Sequence, residues 1–292
     1  MFIPEVQLHE PASLDEVGEA MTDLADDARL LAGGTDLLVD LKTGRVRAGH
    51  LISLHRIGAL RGVSEAKGGL RVGALTTITQ LDRSRPVGER FPALREATSR
   101  MAAPQIRNAA TVGGNIACAV PCADLPPILT AMKASVILWS TRGHREVALE
   151  AFFAGPRQTV RRNDEVLTAV EIPKPSPGFG AAYARFALRD GNAIAVASVA
   201  AGLWVDRGGA VREARIVLGA VAPVPKLVEA AGAELVGQAP DEDVFSRAAD
   251  IARDAAEPIS DVRGSADFRR EIVGVLTRRA LRAALRRAEE AK

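Results

Sequence analysis

Two glycine pairs, each beside hydroxyl and amide or carboxyl side chains, are the residues best suited to binding a ligand. The first pair lies in residues 30–39, where Leu-Leu-Ala-Gly-Gly-Thr-Asp-Leu-Leu-Val turns from an apolar run into a helical pattern. The second pair lies in residues 111–115, Thr-Val-Gly-Gly-Asn. Glycine lets the backbone turn sharply and approach a ligand, because it has no Cβ. A helix after such a turn directs its unpaired N–H groups and positive dipole end at the loop, which suits a phosphate or pyrophosphate.

Neither glycine pair matches a common nucleotide motif. No Gly-Lys-Ser/Thr follows, so neither is a P-loop, and the dinucleotide fingerprint Gly-x-Gly-x-x-Gly is absent. Each pair taken alone could be only a tight strand-to-helix turn. Two loops that converge on one pyrophosphate are a different solution, which needs no lysine if backbone amides are the donors. Thr35 and Thr111 would add hydroxyl groups, and Asn115 would bind a carbonyl or phosphate oxygen.

The remaining residues with reactive side chains do not form a catalytic or metal-binding pattern. Cys118 and Cys122 supply half of a four-cysteine cluster, and the chain has no other cysteine. The four histidines lack the spacing of metal ligands, and no Ser-His-Asp or Cys-His arrangement is present. The sequence therefore predicts no metal site and no catalytic residue that acts on a substrate.

Composition is that of an ordinary globular protein, with 47% hydrophobic and 25% charged residues. A chain of 292 residues exceeds the usual size of one hydrophobic core, which predicts two or three subdomains. A net charge of +2 argues against binding to nucleic acid through bulk charge. Residues 1–5 show no secretory pattern, no apolar run reaches the length of a membrane span, and two cysteines make a disulfide framework improbable. We expect a cytoplasmic protein.

Hydrophobic periodicity and turn residues predict the elements that must position the two glycine loops. Strands are predicted at residues 6–8, 29–32, 50–54, 62–65, 70–73, 135–139, 165–173, 195–205 and 211–221. Helices are predicted at residues 14–24, 35–43, 76–81, 92–101, 128–132, 226–236, 241–256 and 266–290. A capping box of Ser13 and Glu16 would begin the first helix. Residues 104–110 and 118–127 are predicted to be irregular connections.

The order of these elements predicts an α+β protein. Two N-terminal lobes, residues 1–55 and 56–175, would each present one glycine loop. The Pro-rich segment 173–178 breaks any regular element and marks a boundary. Beyond it, residues 179–292 would form a C-terminal domain, in which residues 206–209 turn a hairpin between two long strands. The arginines of the last helix would form a solvated face or dock onto a partner: Arg269, Arg270, Arg278, Arg279, Arg282, Arg286 and Arg287.

Several segments of the sequence resemble those of a known family. Residues 32–38 and 105–116 are similar to the two FAD signatures of the medium, flavin-carrying subunits of molybdenum hydroxylases, of the xanthine dehydrogenase and carbon monoxide dehydrogenase type. The resemblance continues in the same order through five further segments, residues 123–127, 152–156, 164–173, 219–225 and 261–270. It implies a vanillyl-alcohol-oxidase-type (PCMH) FAD-binding fold with FAD between its two lobes, followed by a carbon monoxide dehydrogenase flavoprotein-type α/β domain.

The resemblance also implies which residues bind the cofactor: Leu31, Ala32, Gly33, Gly34, Thr35, Asp36, Leu37, Met101, Ala110, Thr111, Gly113, Gly114, Asn115, Asp124, Leu167, Tyr183 and Arg185. The two glycine loops would hold the pyrophosphate. Asp124 would bind the ribose of the adenosine part, because a carboxylate only accepts hydrogen bonds, and Leu167 would pack on the adenine side. Arg185 falls where the family often has a lysine near the flavin. Tyr183 would lie against the isoalloxazine or, alternatively, serve only core packing.

The function implied by the resemblance is electron transfer within a larger complex. A molybdopterin-binding large subunit would hydroxylate the substrate, and a small subunit with two [2Fe-2S] clusters would carry the electrons to FAD. The complex would be a heterotrimer or a dimer of heterotrimers, with NAD, a quinone or oxygen as the final acceptor. Two alternatives remain at this stage: a free-standing FAD-dependent oxidoreductase of the same fold, and a non-catalytic nucleotide-binding subunit.

Overall fold

The computed structural model describes residues 4–66 and 68–291, so the first three residues of the N-terminal segment considered above lie outside the described residues. The strands are β1 Gln7–His9, β2 Ala28–Leu31, β3 His50–Ser53, β4 Val63–Ala66, β5 Gly69–Gly73, β6 Ser135–Ser140, β7 Gly143–Ala148, β8 Phe153–Gly155, β9 Gln158–Thr159, β10 Val166–Ile172, β11 Phe179–Phe186, β12 Ala197–Val205, β13 Val211–Gly219 and β14 Lys226–Leu227. The helices are α1 Leu14–Leu24, α2 Leu37–Lys42, α3 Ile78–Asp82, α4 Arg85–Arg90, α5 Pro92–Ser99, α6 Pro104–Ala109, α7 Val112–Ala117, α8 Leu125–Ala131, α9 Glu229–Ala233, α10 Glu242–Asp254 and α11 Ala266–Glu290. The mixed α+β content predicted from the sequence is confirmed.

The N-terminal lobe is a small parallel sheet in the order β1-β3-β2. Because parallel neighbours need a crossover, α1 and α2 connect the strands, and α1 buries Val17 against Ile52 of the central strand. Ser13 accepts the N–H of Glu16 at the start of α1, as predicted. Glu16, however, accepts the N–H of Ala12 at 2.8 Å rather than that of Ser13, so the capping box is displaced by one residue.

The second lobe contains an antiparallel five-stranded sheet in the order β4-β5-β10-β6-β7. The hairpin predicted around Gly68 and Gly69 is present as β4 and β5. Helices α3 to α8 pack beside this sheet, and their buried residues include Phe91 and Ile116. The hydrophobic core of this lobe continues into the C-terminal domain through Tyr183 and Ala200.

The C-terminal domain is an antiparallel sheet in the order β11-β12-β13-β14, packed against α10 and α11. All nine residues of β12 are buried, because α11 packs against the strand and α8 of the second lobe also contacts it. This explains why residues 195–205 form a continuous apolar run. The sequence did not predict β11, which contains four glycine or alanine residues and pairs along its full length with β12.

Two predicted irregular segments are helical in part. Residues 104–110 contain α6, which begins at Pro104, a favourable residue for a first helical position. The second glycine pair lies inside α7 rather than in a loop before a helix, with Thr111 as the N-cap residue. Similarly, α8 begins at Leu125, three residues earlier than predicted, because Pro126 and Pro127 occupy its first turn, where no N–H partner is needed. The stretch predicted as one helix at 226–236 divides into β14 and α9.

The arginines of α11 do not all form the predicted solvated face. Arg269 is buried, with 2% of its surface exposed, and donates to Asp261 at 2.5 Å. Arg287 pairs with Glu96 of the second lobe and donates to the carbonyl of Ala181 at 2.7 Å. These arginines tie the C-terminal domain together and to its neighbour. Within residues 4–66 and 68–291, none of the helices is both long and apolar enough to cross a membrane.

Candidate cofactor site

A cleft of about 250 Å³ lies between the two lobes, and both glycine stretches line it. The predicted residues that line it are Ala32, Gly33, Gly34, Thr35, Asp36, Leu37, Ala110, Thr111, Gly113, Gly114, Asn115 and Leu167. We call residues 32–37 the first loop and residues 110–115 the second loop. The structure therefore brings the two loops to one cavity, as the hypothesis of a shared ligand requires.

The two loops touch through their backbones. A Cβ on Gly33 would lie 2.0 Å from the carbonyl oxygen of Ala109 and 3.0 Å from the Cα of Ala110. Gly33 is therefore required by contact between the lobes, and its missing side chain points at the second lobe rather than into the cleft. Gly34 has φ +71°, the left-handed conformation that favours glycine. Gly33 is therefore needed for steric reasons and Gly34 for its backbone conformation.

The backbone amides of the first loop are available to a ligand. Among the described residues, no protein acceptor is hydrogen-bonded to the N–H groups of residues 33–37. The second-loop amides are already bonded: Val112 donates to Thr76 at 2.9 Å, Gly113 to Ala74 at 2.8 Å, and Gly114 and Asn115 to Thr111 at 3.0 and 2.9 Å. The similar sequences therefore differ in function, because only the first loop offers a run of free donors to an anion.

The second loop contributes side-chain groups instead. The Oδ1 atom of Asn115 is buried and has no hydrogen-bond partner among the described residues. A buried, unpaired oxygen is costly unless a ligand supplies a donor. Both α2 and α7 are only six residues long, so their dipoles add little beyond the free amides themselves. Free amides, a close backbone approach and an unpaired oxygen together fit the diphosphate and hydroxyl groups of FAD.

A buried ion pair links the lobes beside the first loop. Asp40 of α2 is 4% exposed and accepts hydrogen bonds from Arg45 and Arg157, each at 2.5 Å. Arg157 belongs to the second lobe, where its N–H donates to the carbonyl of Ala119. Burial raises the pKa of Asp36, which lines the cleft, while Arg157 opposes the shift and Asp40 reinforces it. Arg157 thus balances two carboxyl groups that would otherwise repel a diphosphate.

Burial raises the pKa of both cysteine thiols. Cys118 lines the cleft, and burial raises the pKa of its thiol to about 12, with Asp36 adding to the effect. Burial also raises the pKa of Cys122, while Arg263 opposes the shift. Thiols with raised pKa values are poor nucleophiles. Among the described residues, no group of three side chains is arranged to hold a metal ion.

Three other predicted site residues form a separate buried cluster. The Tyr183 hydroxyl donates to Asp124 at 2.7 Å, and Arg185 donates to both carboxylate oxygens of Asp124 at 3.1 and 3.3 Å. Tyr183 and Arg185 are two apart on β11 and so share one face of the sheet. Burial raises the pKa of Asp124, and the charge of Arg185 opposes that shift.

The members of this cluster lie together, apart from the cleft of the two loops. Asp124 was expected at the ribose of the adenosine part and Tyr183 at the isoalloxazine, but the two side chains are hydrogen-bonded to each other. The two placements at the cofactor therefore stay predictions. None of the cluster lines the cleft of the two loops, and neither does Met101 or Leu31. The carbonyl of Met101 accepts from Arg107 at 2.6 Å, and Leu31 directly precedes the first loop.

Several cleft residues were missed from the sequence: Arg29, Leu30, Asp40, Leu54, Ala74, Leu75, Ala117, Cys118, Arg161 and Val166. Leu30, Leu54 and Val166 lie in or next to predicted strands, so their presence follows from where those strands end. No local pattern distinguishes Arg29 or Arg161 from the many other arginines of the chain. Only the packing of the lobes brings these two to the cavity.

The two-lobed α+β fold, with a cleft whose free amides suit a diphosphate, is that of an FAD-binding protein of the vanillyl-alcohol-oxidase type. Comparisons with known proteins agree with this class. Residues 4–175 match the family described as the FAD binding domain in molybdopterin dehydrogenase, and residues 181–284 match the carbon monoxide dehydrogenase flavoprotein C-terminal domain.

Individual relatives match along nearly the whole chain. The carbon monoxide dehydrogenase medium chain of Hydrogenophaga pseudoflava is 35% identical over 284 residues, which cover 97% of this chain and 98% of that one. The xanthine dehydrogenase FAD-binding subunit of Escherichia coli O157:H7 is 34% identical over 280 residues, 94% of each chain.

Solved structures of related enzymes superpose closely on this fold. A chain of the carbon monoxide dehydrogenase from Hydrogenophaga pseudoflava has a TM-score of 0.95 at 36% identity and covers 98% of this chain and 99% of its own. A chain of quinoline 2-oxidoreductase from Pseudomonas putida 86 has a TM-score of 0.92 at 33% identity and covers 99% of each. This chain belongs to the family of FAD-binding medium subunits of molybdenum hydroxylases, and the resemblance seen in the sequence is confirmed. It is an FAD-dependent oxidoreductase subunit whose cofactor is FAD.

Proposed function

We propose that this chain is the electron-transfer subunit of a molybdenum hydroxylase complex. Its partners would be a molybdopterin-binding large subunit and a small subunit with [2Fe-2S] clusters, assembled as a heterotrimer or a dimer of heterotrimers. The chain would take electrons from those clusters and pass them through FAD to NAD, a quinone or oxygen. The full-length match to subunits named as medium chains supports this role.

The observation that carries the proposal is the row of free amides in residues 33–37 at a cleft shared by both lobes. These donors would hold the diphosphate between a first lobe of residues 1–55 and a second lobe of residues 56–175. Asn115 would accept a hydrogen bond from the cofactor through its unpaired Oδ1 atom. FAD, when bound, supplies chemistry that exchanges one or two electrons, whereas the protein orients it.

The chain's own residues would bind and position rather than exchange protons with a substrate. Cys118, the thiol in the cleft, stays protonated because burial raises its pKa to about 12. Asp40 is engaged by two arginines. Consequently the hydroxylated substrate would be recognised by a different subunit.

Co-purification from the cells that encode this chain tests the proposal. An affinity-tagged chain should bring down one larger and one smaller subunit, and the purified complex should contain molybdenum, iron and FAD in defined ratios. A tagged chain that elutes alone, binds FAD and turns over a small molecule without partners would contradict the proposal and identify a free-standing flavoenzyme.

A further inference from the structure

Two arginines, Arg29 and Arg161, line the cleft but belong to neither glycine loop. Arg29 lies on β2 of the first lobe, and Arg161 follows β9 in the second lobe. Both line the cleft of the two loops, and both also line an outer cavity of about 500 Å³. The guanidinium groups therefore stand between the cofactor cleft and the outer cavity, one from each lobe.

Neither arginine is paired with a carboxylate. Arg29 donates through Nη1 to the backbone carbonyls of Asp26 and Ala28, at 2.6 and 2.7 Å. Arg161 donates through Nη1 to the carbonyls of Arg162 and Glu165, at 2.9 and 2.7 Å. In the part of the chain that the structure describes, no acidic side chain lies within ion-pair distance of either guanidinium.

The acidic neighbour of Arg161 is engaged elsewhere. The carboxylate of Glu165 accepts two hydrogen bonds from Arg145, at 2.5 and 2.9 Å, and hydrogen bonding to Arg145 lowers its pKa to about 2. Arg161 is half-buried, and burial lowers its pKa, partly offset by Glu165, while Arg29 lowers it further. Arg161 therefore carries a partly desolvated positive charge, and the exposed Arg29 adds a second one, so an anionic ligand that enters the cleft is stabilised.

The surroundings of these arginines suit an aromatic base as well as a phosphate. Apolar side chains line the same cleft: Leu30, Leu54, Leu75, Val166 and Leu167. Such a wall accepts a flat ring, and a guanidinium stacks on one or donates to its ring nitrogens. The Nε and Nη2 groups of Arg161 have no protein partner among the described residues, so they are free to donate. An aromatic base next to a diphosphate is the ADP half of FAD.

We propose that Arg29 and Arg161 bind the ADP half of the cofactor and thereby make the site select FAD over FMN. FMN lacks the adenosine part and carries one phosphate, so it does not engage this end of the cleft. One arginine comes from each lobe, which means that the ADP half would also hold the lobes together.

Ligand binding to the full-length chain, freed of flavin, tests this assignment. Dissociation constants for FAD, FMN, ADP and adenosine are measured by fluorescence quenching or calorimetry at one fixed ionic strength. In Arg161→Met we expect affinity for FAD and ADP to fall about tenfold or more, as for loss of a charge-assisted hydrogen bond, with FMN unchanged. Arg162→Met is the matched control, because Arg162 is exposed, does not line the cleft and removes the same charge.

The smaller ligands separate the two parts of the ADP half. A loss for ADP but not adenosine would assign the contact to the diphosphate, and a loss for both would assign it to the base; either supports the proposal. Unchanged FAD affinity in Arg161→Met, or an equal loss for FMN and FAD, would overturn it. If Arg161→Met is poorly folded in thermal unfolding, Arg29→Met gives the same comparison from the other lobe. The measurement needs no partner subunit, so its outcome is independent of which complex the chain joins.

Discussion

A single methyl group on Gly33 should separate the two lobes and weaken FAD binding. The carbonyl oxygen of Ala109 lies 2.0 Å from the position of the added Cβ, about 1 Å closer than the 3.0 Å limit for real contacts. Because the neighbour is backbone, the lobes must move apart rather than a side chain rotate. Overpacking of this kind costs about 1–3 kcal/mol. If the whole cost is borne when the lobes close on the cofactor, the dissociation constant for FAD rises about 5- to 150-fold.

The comparison uses Gly33→Ala and Gly58→Ala, the second as a control with nothing within 4 Å of the added Cβ. Flavin fluorescence titration gives the dissociation constants, and thermal unfolding with and without FAD reports how strongly the ligand stabilises each variant. We expect a smaller FAD-induced rise in Tm for Gly33→Ala only. An unchanged FAD affinity and an unchanged Tm rise in Gly33→Ala would refute the contact between the loops.

Three further results are expected. Thr111→Val removes the hydroxyl that caps α7 by accepting the N–H of Gly114 and should lower the free energy of unfolding by about 1 kcal/mol in urea titrations, whereas Thr111→Ser should not. The pKa of Glu165 falls from 4.5 to about 2 on folding, so its contribution of about 3 kcal/mol is present above pH 4.5 and lost as pH falls towards 2; Glu165→Gln should flatten this dependence, and an unchanged slope would contradict it. With Cys122→Ser as background, Cys118 should react with iodoacetamide at pH 8 far more slowly than in the unfolded chain, since its thiolate is about 1,000-fold rarer at a pKa of about 12; labelling at the unfolded rate would show that the thiol is not buried.

The sequence predicts most of the fold because hydrophobic periodicity is strong where one face of an element is buried. The runs at 195–205 and 211–221 correspond to β12 and β13, and the glycine turn between them forms the predicted hairpin. By contrast, β11 has no such signal, because its small residues acquire their strand conformation from pairing with β12. The second glycine pair misled the prediction for a related reason. Two glycines disfavour a helix locally, but Thr111 caps α7, and a Cβ on Gly113 would lie 2.6 Å from Ala74.

Some residues of the candidate site can be predicted from the sequence, and others are brought to it only by packing. Most residues predicted in the two loops line the cleft. Glycine and hydroxyl side chains reflect a local requirement of the backbone, which a sequence pattern can show. The arginines at the far end were not identified, because a charge without a partner is a property of three-dimensional surroundings. The carboxylate of Glu165 pairs with Arg145 and not with Arg161. The sequence alone does not show which arginine pairs with Glu165.

The different states of the two loops suggest how cofactor binding and lobe closure are coupled. In the second loop, Gly113 and Val112 donate to the backbone of residues 74–76, so those amides hold the second lobe together whether or not FAD is present. The free donors belong to the first lobe, whose parallel sheet has only three strands. Asn115 and Arg161, which the second lobe supplies, line the same cleft. Without FAD, the ion pair of Asp40 and Arg157 already links the two lobes, and FAD binding would add further contacts between them. We therefore expect FAD to stabilise the first lobe more than the second.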